Sequence, residues 1–436
     1  MNITRRQTLL TAAAAAASVC FGRPTFAAAA DEFAAAKIDW RQVSGKKINV
    51  LLSRHPWQEA IAPLISTFTQ LTGIEVNLRT LPEQQFLTKV PADLTAGTFQ
   101  FDVFMTQIAE APQFAANNWV ETIDNYMNDK KLTDPDWYQW SDFFPGAQQA
   151  ATIGNTPFAN LAITAEAQVL VYRTDILTKL NIVVPKTIEE VISAADLISQ
   201  KTDIHGVTLR GGAALWWPLY GFVRSSGGDY FGPDKAAALT TPEAIAGADA
   251  YVRLAKDAPQ GITNYDWDEI NTAMLSGQAA MFLDSSVVYP RLKDPNLSTI
   301  SDKIGVAPFP AGPAGVHPNS HYWTISMAKK AVEKEASWLF MAWATSKPIQ
   351  AALALKGVLG PRASAWESQE LLTALGSQFI DAVRTSLSSA ALTPARLGFT
   401  EFADALRSNM QLALSGSKSA KQAMVDAQAS WAAVQK

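Results

Sequence analysis

Two carboxylates, Glu166 and Asp284, are of a residue type that suits two kinds of chemistry. Asp284 ends a predicted apolar strand beside two serines. A pair of carboxylates about 5–9.5 Å apart could hydrolyse a glycosidic bond between them. The same groups could instead accept hydrogen bonds from the hydroxyls of a bound solute, each worth roughly 1.5–3 kcal/mol. A solvated carboxylate at a strand end, for Glu166, and a helix cap, for Asp284, are the structural alternatives.

Other kinds of active site find no support in the sequence. The four histidines are His55, His205, His317 and His321, and Pro318 interrupts the one pair with helical spacing, so no metal-ligand pair is expected. No GxSxG elbow and no phosphate-binding glycine loop is present. We therefore expect no metal and no cofactor.

The first thirty residues have the pattern of an export signal. Arg5 and Arg6 give a charged start, residues 9–21 are an apolar run too short for a permanent anchor, and residues 25–27 form a small-x-small cleavage site near Ala27. The start resembles a twin-arginine signal in part, and the general secretory route is the alternative. We expect a signal peptide over 1–27 and a periplasmic protein without thiols, because the only cysteine, Cys20, lies in the signal.

The charge balance argues against nucleic acid and anionic membranes as partners. The chain has 36 basic and 40 acidic residues, and removing Arg5, Arg6 and Arg23 with the signal leaves 33 against 40, a net charge of about −7 with histidine neutral. Such a chain is repelled by polyanions. A monomeric protein that handles external small molecules fits this composition.

The elements that must position these residues follow a strand–helix–strand pattern. Residues 47–52 and 74–81 are predicted strands, and residues 60–71 between them form a helix with its apolar side chains on one face. Short links indicate a βαβ unit with parallel strands. Residues 101–106 are a third predicted strand, and the last seventy residues are predicted to be helices without a strand.

Proline- and glycine-rich stretches predict where the chain passes between two lobes. They lie near residues 154–158, 308–318 and 357–362. Three crossings mean two discontinuous lobes, and a ligand would then lie between them at the carboxyl ends of strands.

Several segments, taken in order, resemble a known family. The chain resembles the carbohydrate-type extracellular solute-binding proteins, the periplasmic receptors of ABC importers. Residues 209–211 and 343–347 favour the sugar and polyol branch. The segments that carry the resemblance are 101–104 (FDVF), 111–114 (APQF), 119–121 (WVE), 165–173 (AEAQVLVYR), 184–190 (VPKTIEE), 227–229 (GGD), 276–285 (SGQAAMFLDS), 343–347 (WATSK) and 360–362 (GPR).

The resemblance implies an α/β, two-lobe fold of the type II periplasmic-binding kind, each lobe a mixed sheet flanked by helices. The N-terminal lobe is expected over 46–160 and 311–358, and the C-terminal lobe over 161–310 and 359–436. The implied function is capture of a sugar, oligosaccharide or polyol and its delivery to a membrane permease, without catalysis. A secreted glycoside hydrolase using Glu166 and Asp284 is the alternative.

The resemblance and the predicted strand ends together give a set of candidate substrate-binding residues. Asp102 could instead hold the entry of its strand, and Arg210 could pair with Glu166. Only one of the adjacent Trp216 and Trp217 should face the ligand, and most of the thirteen tryptophans should pack in the core. Arg54, His55 and Arg210 leave an anionic sugar possible. The candidates are Glu166, Arg362, Asp284, Trp323, His55, Trp57, Gln107, Trp216, Trp217, Arg210, Trp366 and Asp102, and Tyr289 could replace a tryptophan that some relatives carry near Val287.

Overall fold

The computed structural model describes residues 31–152 and 159–434 of the chain. The expected signal peptide with its cleavage site, Cys20 and the crossing predicted near 154–158 lie outside the described residues. Within the described ranges, no helix has both the length and the apolar character needed to cross a bilayer.

The first sheet contains the predicted βαβ unit. Its strand order is β2-β1-β3-β9-β4, in which β1 pairs in parallel with β2 and β3, whereas β9 runs antiparallel to β3 and β4. The predicted helix over 60–71 is divided by a 3-10 turn at 62–64, where Pro63 cannot donate a helical hydrogen bond. The strands are β1 (Lys47–Ser53), β2 (Glu75–Leu81), β3 (Val103–Gln107), β4 (Asn160–Ala162) and β9 (Trp323–Met327).

The second sheet is built around one fully buried strand, β5. Its order is β10-β8-β5-β6, and β7 also pairs with β5. The strand β10 lies in the region predicted to be wholly helical, which corrects that prediction; its two residues pair with β8, a contact that local sequence does not reveal. The strands are β5 (Glu166–Arg173), β6 (Met281–Ser285), β7 (Ile304–Pro308), β8 (Asn319–His321) and β10 (Ala391–Leu392).

Helices cover both sheets. We call the part of the chain packed around the first sheet the first half, and that packed around the second sheet the second half. The first half holds α1 (Pro56–Ile61), α2 (Ile65–Thr72), α3 (Glu83–Ala96), α4 (Ala111–Ala116), α5 (Asp124–Asn128), α6 (Pro135–Tyr138), α7 (Pro145–Ala151), α14 (Lys334–Ala344) and α15 (Lys347–Ala354). The second half holds α8 (Thr174–Lys179), α9 (Ile188–Lys201), α10 (Trp216–Ser225), α11 (Pro242–Leu254), α12 (Trp267–Leu275), α13 (Tyr289–Lys293), α16 (Gln369–Leu375), α17 (Ser377–Ser389), α18 (Phe399–Leu414) and α19 (Ala420–Val434).

A two-stranded ribbon joins the sheets. The chain leaves β4 and enters β5 after three residues, and it leaves β8 and enters β9 after one, Tyr322. The two links are hydrogen-bonded to each other, from Ile163 N to Trp323 O at 2.8 Å and from Trp323 N to Thr164 Oγ1 at 3.1 Å. The ribbon therefore holds the ends of the two sheets close together where the chain passes between them.

The third passage between the halves follows residue 366. The segment 359–366 stays attached to the first half, because Arg362 donates hydrogen bonds to carbonyl oxygens of Tyr138 and Thr345. The predicted lobe boundaries remain predictions; β8, inside the stretch 311–358 expected in the N-terminal lobe, pairs with β5 of the second sheet.

The halves also touch beside the ribbon, at Gly357. This residue ends α15 with a φ of +85°, and a Cβ built on it would lie 2.3 Å from Pro290 in α13. Glycine therefore serves two purposes here, a left-handed helix end and a close approach of the halves.

Replacing Gly357 by alanine should test that contact. The left-handed conformation and the clash with Pro290 both oppose alanine, so we expect a loss of roughly 2–5 kcal/mol in unfolding free energy. Gly416 is the matched control: it ends α18 with the same pair of helix-closing hydrogen bonds and a φ of +76°, and its Cβ would meet nothing within 4 Å. Urea unfolding of both variants gives the comparison, and equal losses would contradict a packing role.

Candidate functional site

Polar side chains gather at the carboxyl ends of the parallel strands. His55 follows β1, Glu83 follows β2, and Gln107 is the last residue of β3. Because the three strands run in parallel, these positions share one edge of the sheet. Glu166, the first residue of β5 after the ribbon, faces them from the second half.

Glu166 is the centre of this cluster. It is 4% exposed, and Ser285 donates a hydrogen bond to its Oε2. His55 Nε2 lies 3.2 Å from its Oε1, although without hydrogen-bond geometry. Burial alone would raise the pKa of Glu166, but His55, His321 and Ser285 together lower it to about 2. The carboxylate is therefore ionised at neutral pH.

The tautomer of His55 follows from its backbone contact. Its Nδ1 accepts the N–H of Trp57 at 3.0 Å, which also caps α1. A nitrogen that accepts carries no proton, so the N–H of the ring is on Nε2, facing Glu166. The sequence placed His55 in the site; the structure adds which of its nitrogens is available.

Arg210 and Asp284 form a buried bidentate pair. Nε and Nη2 of Arg210 donate to the two carboxylate oxygens at 2.8 Å each. The guanidinium lies 5.7 Å from the ring of Trp217 and 5.3 Å from that of Trp267. Asp284 is thus the partner of Arg210, in place of the pairing with Glu166 considered from the sequence.

Aromatic rings line the same region. His321 pairs in register with Glu166, and its ring lies 5.6 Å from Trp323 and 6.5 Å from Trp217. The ring of Trp323 is also 5.6 Å from His55. Burial lowers the pKa of His321 to about 4, so this imidazole is neutral at neutral pH. The edges and faces of these rings suit the apolar faces of a carbon skeleton.

Two acidic residues of this site were missed by the sequence reasoning. Burial raises the pKa of Glu83 from 4.5 to about 7, and Arg210 and His55 oppose this only in part. Asp266 accepts the N–H groups of Ala213 and Ala214 at 2.8 and 2.9 Å, and burial raises its pKa. The position of Glu83, directly after the second parallel strand, was the signal that could have identified it.

Three buried polar atoms of the cluster have no hydrogen-bond partner among the described residues. They are Oε1 of Glu166, Nε1 of Trp217 and Nδ1 of His321. Buried polar groups are normally paired. One acceptor, one donor and one ring nitrogen on neighbouring residues therefore indicate a place for a polar guest.

Some predicted residues lie in other environments. Trp57 is fully buried in the core, and Trp216 packs its ring edge-on against Phe399. Of the adjacent tryptophans, Trp217 is thus the one beside the cluster. Gln107 is 5% exposed and pairs in register with Trp323, which places it at the edge of the cluster.

Asp102, Trp366 and Tyr289 have structural contacts. Asp102, before β3, accepts the N–H groups of Asn49 and Val332. These contacts agree with the alternative given from the sequence, that Asp102 holds the entry of its strand. Trp366 donates its Nε1–H to Gly360 O. Tyr289 stacks on Phe379 with ring centroids 4.7 Å apart. These three side chains are therefore used by the fold.

Arg362 is likewise not placed with the cluster. Its side chain is fully buried, and each of its three nitrogens donates to the protein, to Thr345 O, to Tyr138 O, and to Gln139 O together with Asp142. The sequence predicted Arg362 as a substrate-binding residue. The structure instead uses it to fix residues 359–366 to the first half.

A cavity of about 190 Å³ opens between the halves beside the cluster. His55 and Trp267 belong to both, and an ion pair of 3.0 Å between Glu59 and Arg291 joins the halves at its wall. Its lining residues are Arg54, His55, Pro56 and Glu59 from the first half, and Trp267, Asp268, Asn271, Thr272, Leu275 and Arg291 from the second.

Comparison with known proteins gives a consistent result. Residues 54–351 match the family described as bacterial extracellular solute-binding protein. An erythritol/L-threitol-binding protein of Mycolicibacterium smegmatis is 30% identical over 330 residues, covering 71% of this chain and 68% of that protein.

Solved structures share the fold. An ABC transporter solute-binding protein from Agrobacterium radiobacter in complex with ribitol has a TM-score of 0.79 at 24% identity, covering 89% of this chain and 98% of that one. Maltose-bound T. maritima MalE3 has a TM-score of 0.81 at 23% identity, covering 89% and 100%. The predicted α/β, two-lobe type II fold is confirmed.

Replacing Glu83 by glutamine should change how stability depends on pH. With a pKa of about 7 when folded against 4.5 ordinarily, this carboxyl favours the folded state below pH 4.5 and loses that contribution as the pH rises to 7. The variant Glu83→Gln has no carboxyl at this position and so does not lose this contribution. The unfolding free energy of Glu83→Gln, relative to that of wild type, should therefore increase between pH 4.5 and 7.

Urea unfolding across that pH range measures the difference. Glu75→Gln is the control, because Glu75 begins β2, far from the cluster, and pairs with Lys47 on the surface. The difference in unfolding free energy between Glu75→Gln and wild type should not change with pH. If the difference for Glu83→Gln does not change with pH either, the burial of the Glu83 carboxyl is contradicted.

Proposed function

Because this chain belongs to the bacterial extracellular solute-binding proteins, we propose that it captures a small polyol or sugar between its halves and releases it unchanged to an ABC importer. The buried, unpartnered atoms of Glu166, Trp217 and His321 are the observation that carries this proposal. Hydroxyl groups both donate and accept, so one polyol can satisfy all three.

The arrangement fits a guest with adjacent hydroxyls and an apolar skeleton. The ionised Glu166 accepts from a hydroxyl, and the indole N–H of Trp217 donates to one. The ring of Trp323 lies beside His55, and that of Trp267 lies beside Arg210. Relatives that bind erythritol or L-threitol and, in a solved complex, ribitol support a polyol of a few carbons.

Binding is coupled to movement of the halves. His55 and Glu83 belong to the first half, and Arg210 and Asp266 to the second, so a guest that contacts both groups favours the closed arrangement. Glu166 lies directly after the ribbon about which the halves turn. The affinity then reflects how much better the guest binds the closed state than the open one.

The remaining parts of the function follow from the family and the sequence. We propose export to the periplasm with cleavage near Ala27, by the twin-arginine route that Arg5 and Arg6 resemble. The protein works as a monomer and presents its closed form to a membrane permease. These steps concern residues or partners beyond the described structure, and the leader's export is testable by fusion to a reporter.

The alternative of a glycoside hydrolase is not supported. Family members and relatives are binding proteins. Both oxygens of Asp284 accept from Arg210, which leaves this carboxylate poorly placed to act as a base or nucleophile. Sugars incubated with the protein should be recovered intact.

Glu166→Ala should weaken polyol binding. Loss of a charged acceptor costs roughly 1.5–3 kcal/mol, about a tenfold to hundredfold rise in Kd. Titration calorimetry with the tightest binder among erythritol, L-threitol, ribitol and mannitol measures it, and Glu75→Ala is the control. Unchanged affinity in Glu166→Ala would remove this residue from the site, and no binding of any polyol or sugar would contradict the proposed function.

Saturation with the same polyol should make the protein more compact. Closure about the ribbon brings the halves together, so the radius of gyration from small-angle scattering should fall on binding. A protein whose scattering is the same with and without ligand, at concentrations where calorimetry shows saturation, would exclude closure on binding.

A further inference from the structure

We propose that the cleft selects uncharged polyols and excludes the sugar acids formed by oxidising a terminal carbon, and that Glu83 and Asp266 determine this selectivity. The inference rests on the proposed function, because it concerns the ligand of the same cleft. It decides a question that the sequence leaves open, since Arg54, His55 and Arg210 suggested that an anionic sugar could bind.

The positive charge of Arg210 is already neutralised. Its Nε and Nη2 hold both oxygens of Asp284 at 2.8 Å, and its side chain is only 7% exposed. The rings of Trp217 and Trp267 cover the guanidinium. Its remaining N–H groups can donate to a hydroxyl, but a carboxylate would meet Asp284 as well and gain little net attraction.

Neither histidine offers a free positive charge to a guest. Nδ1 of His55 accepts the N–H of Trp57, and its Nε2 lies 3.2 Å from the carboxylate of Glu166, so both ring nitrogens already face protein groups. His321 is neutral at neutral pH, because burial lowers its pKa to about 4. Their ring nitrogens are hydrogen-bonding groups, which suit hydroxyls.

The uncompensated charges of the cluster are negative. Glu166 is ionised, and neither Glu83 nor Asp266 has a cation within ion-pair distance among the described residues. Glu83 lies within electrostatic range of Arg210, His55, Asp266 and Glu166. An anionic guest beside Glu166 would therefore lie within electrostatic range of carboxylates from both halves, and their repulsion opposes its binding.

Arg54 does not reverse this balance. It is exposed and lines the cavity beside the cluster, where Asp268 also lies and where Glu59 pairs with Arg291. It can attract an anion to the mouth, but a charge there is screened by water and salt.

Probes with one carbon skeleton and different charge test the selectivity. Calorimetry at pH 8 compares ribitol, ribonate and 1-amino-1-deoxyribitol, with erythritol and erythronate as a second pair. We expect the polyol to bind at least about a hundredfold more tightly than its acid. The amino-polyol should bind within about tenfold of the polyol or more tightly.

Two further comparisons assign the effect to Glu83. In Glu83→Gln, the ratio of acid to polyol Kd at pH 8 should fall by about tenfold, while Glu75→Gln keeps the wild-type ratio. In wild type, the ratio should also fall from pH 8 to pH 5, because Glu83 becomes protonated and Asp266, whose pKa burial also raises, changes in the same direction. Among the other groups that face Glu83, Arg210 stays paired with Asp284, Glu166 stays ionised, and His55 keeps its contacts with Trp57 and Glu166, while the nearby His321 stays neutral. The pH series needs no variant and so is independent of any folding defect.

The outcomes separate this inference from the proposed function. A sugar acid whose Kd is within about threefold of the Kd of its polyol would overturn the charge selectivity. Polyol capture would still stand in that case. A strong preference that neither Glu83→Gln nor low pH reduces would overturn the role of Glu83. If neither the polyols nor any other sugar binds, the proposed function fails, and this inference fails with it.

Discussion

The whole arrangement depends on the hydrogen-bonded ribbon that joins the two sheets. It is only three residues long on one strand and a single residue, Tyr322, on the other. Glu166 and His321 face each other where the ribbon enters the second half. Trp323 begins β9, the strand that leads from the ribbon into the first half. The most important polar group of the site is thus placed at the one point where the halves are always near each other.

The site combines one paired cation with polar atoms that have no partner. Asp284 neutralises Arg210, and two tryptophan rings cover the guanidinium, which fixes it without leaving a free cation. Beside it, one atom each of Glu166, Trp217 and His321 has no hydrogen-bond partner in the part of the chain that the structure describes. Such a combination costs stability in the empty protein, because buried polar atoms lose their contacts with water. A hydroxyl-rich guest restores those contacts.

The sequence predicted the fold class and the inner cluster better than it predicted the outer candidates. Asp284 could be placed because it ends an apolar strand, and Glu166 and Trp323 because the family resemblance marks their positions. Glu83 could not, since its role depends on β2 lying parallel beside β1. The direction of the Arg362 guanidinium depends on carbonyl groups more than two hundred residues away in the chain, and no local pattern reveals it.

The ribbon also limits how a captured solute can escape. Its two strands are tied to each other and to the sheets on both sides, so they cannot lengthen, and sliding of one sheet past the other is resisted. In the closure proposed above, rotation is the motion that remains. The residence time of a solute would then be set by one angular coordinate, and a solute that fits poorly would leave sooner by the same path as one that fits well.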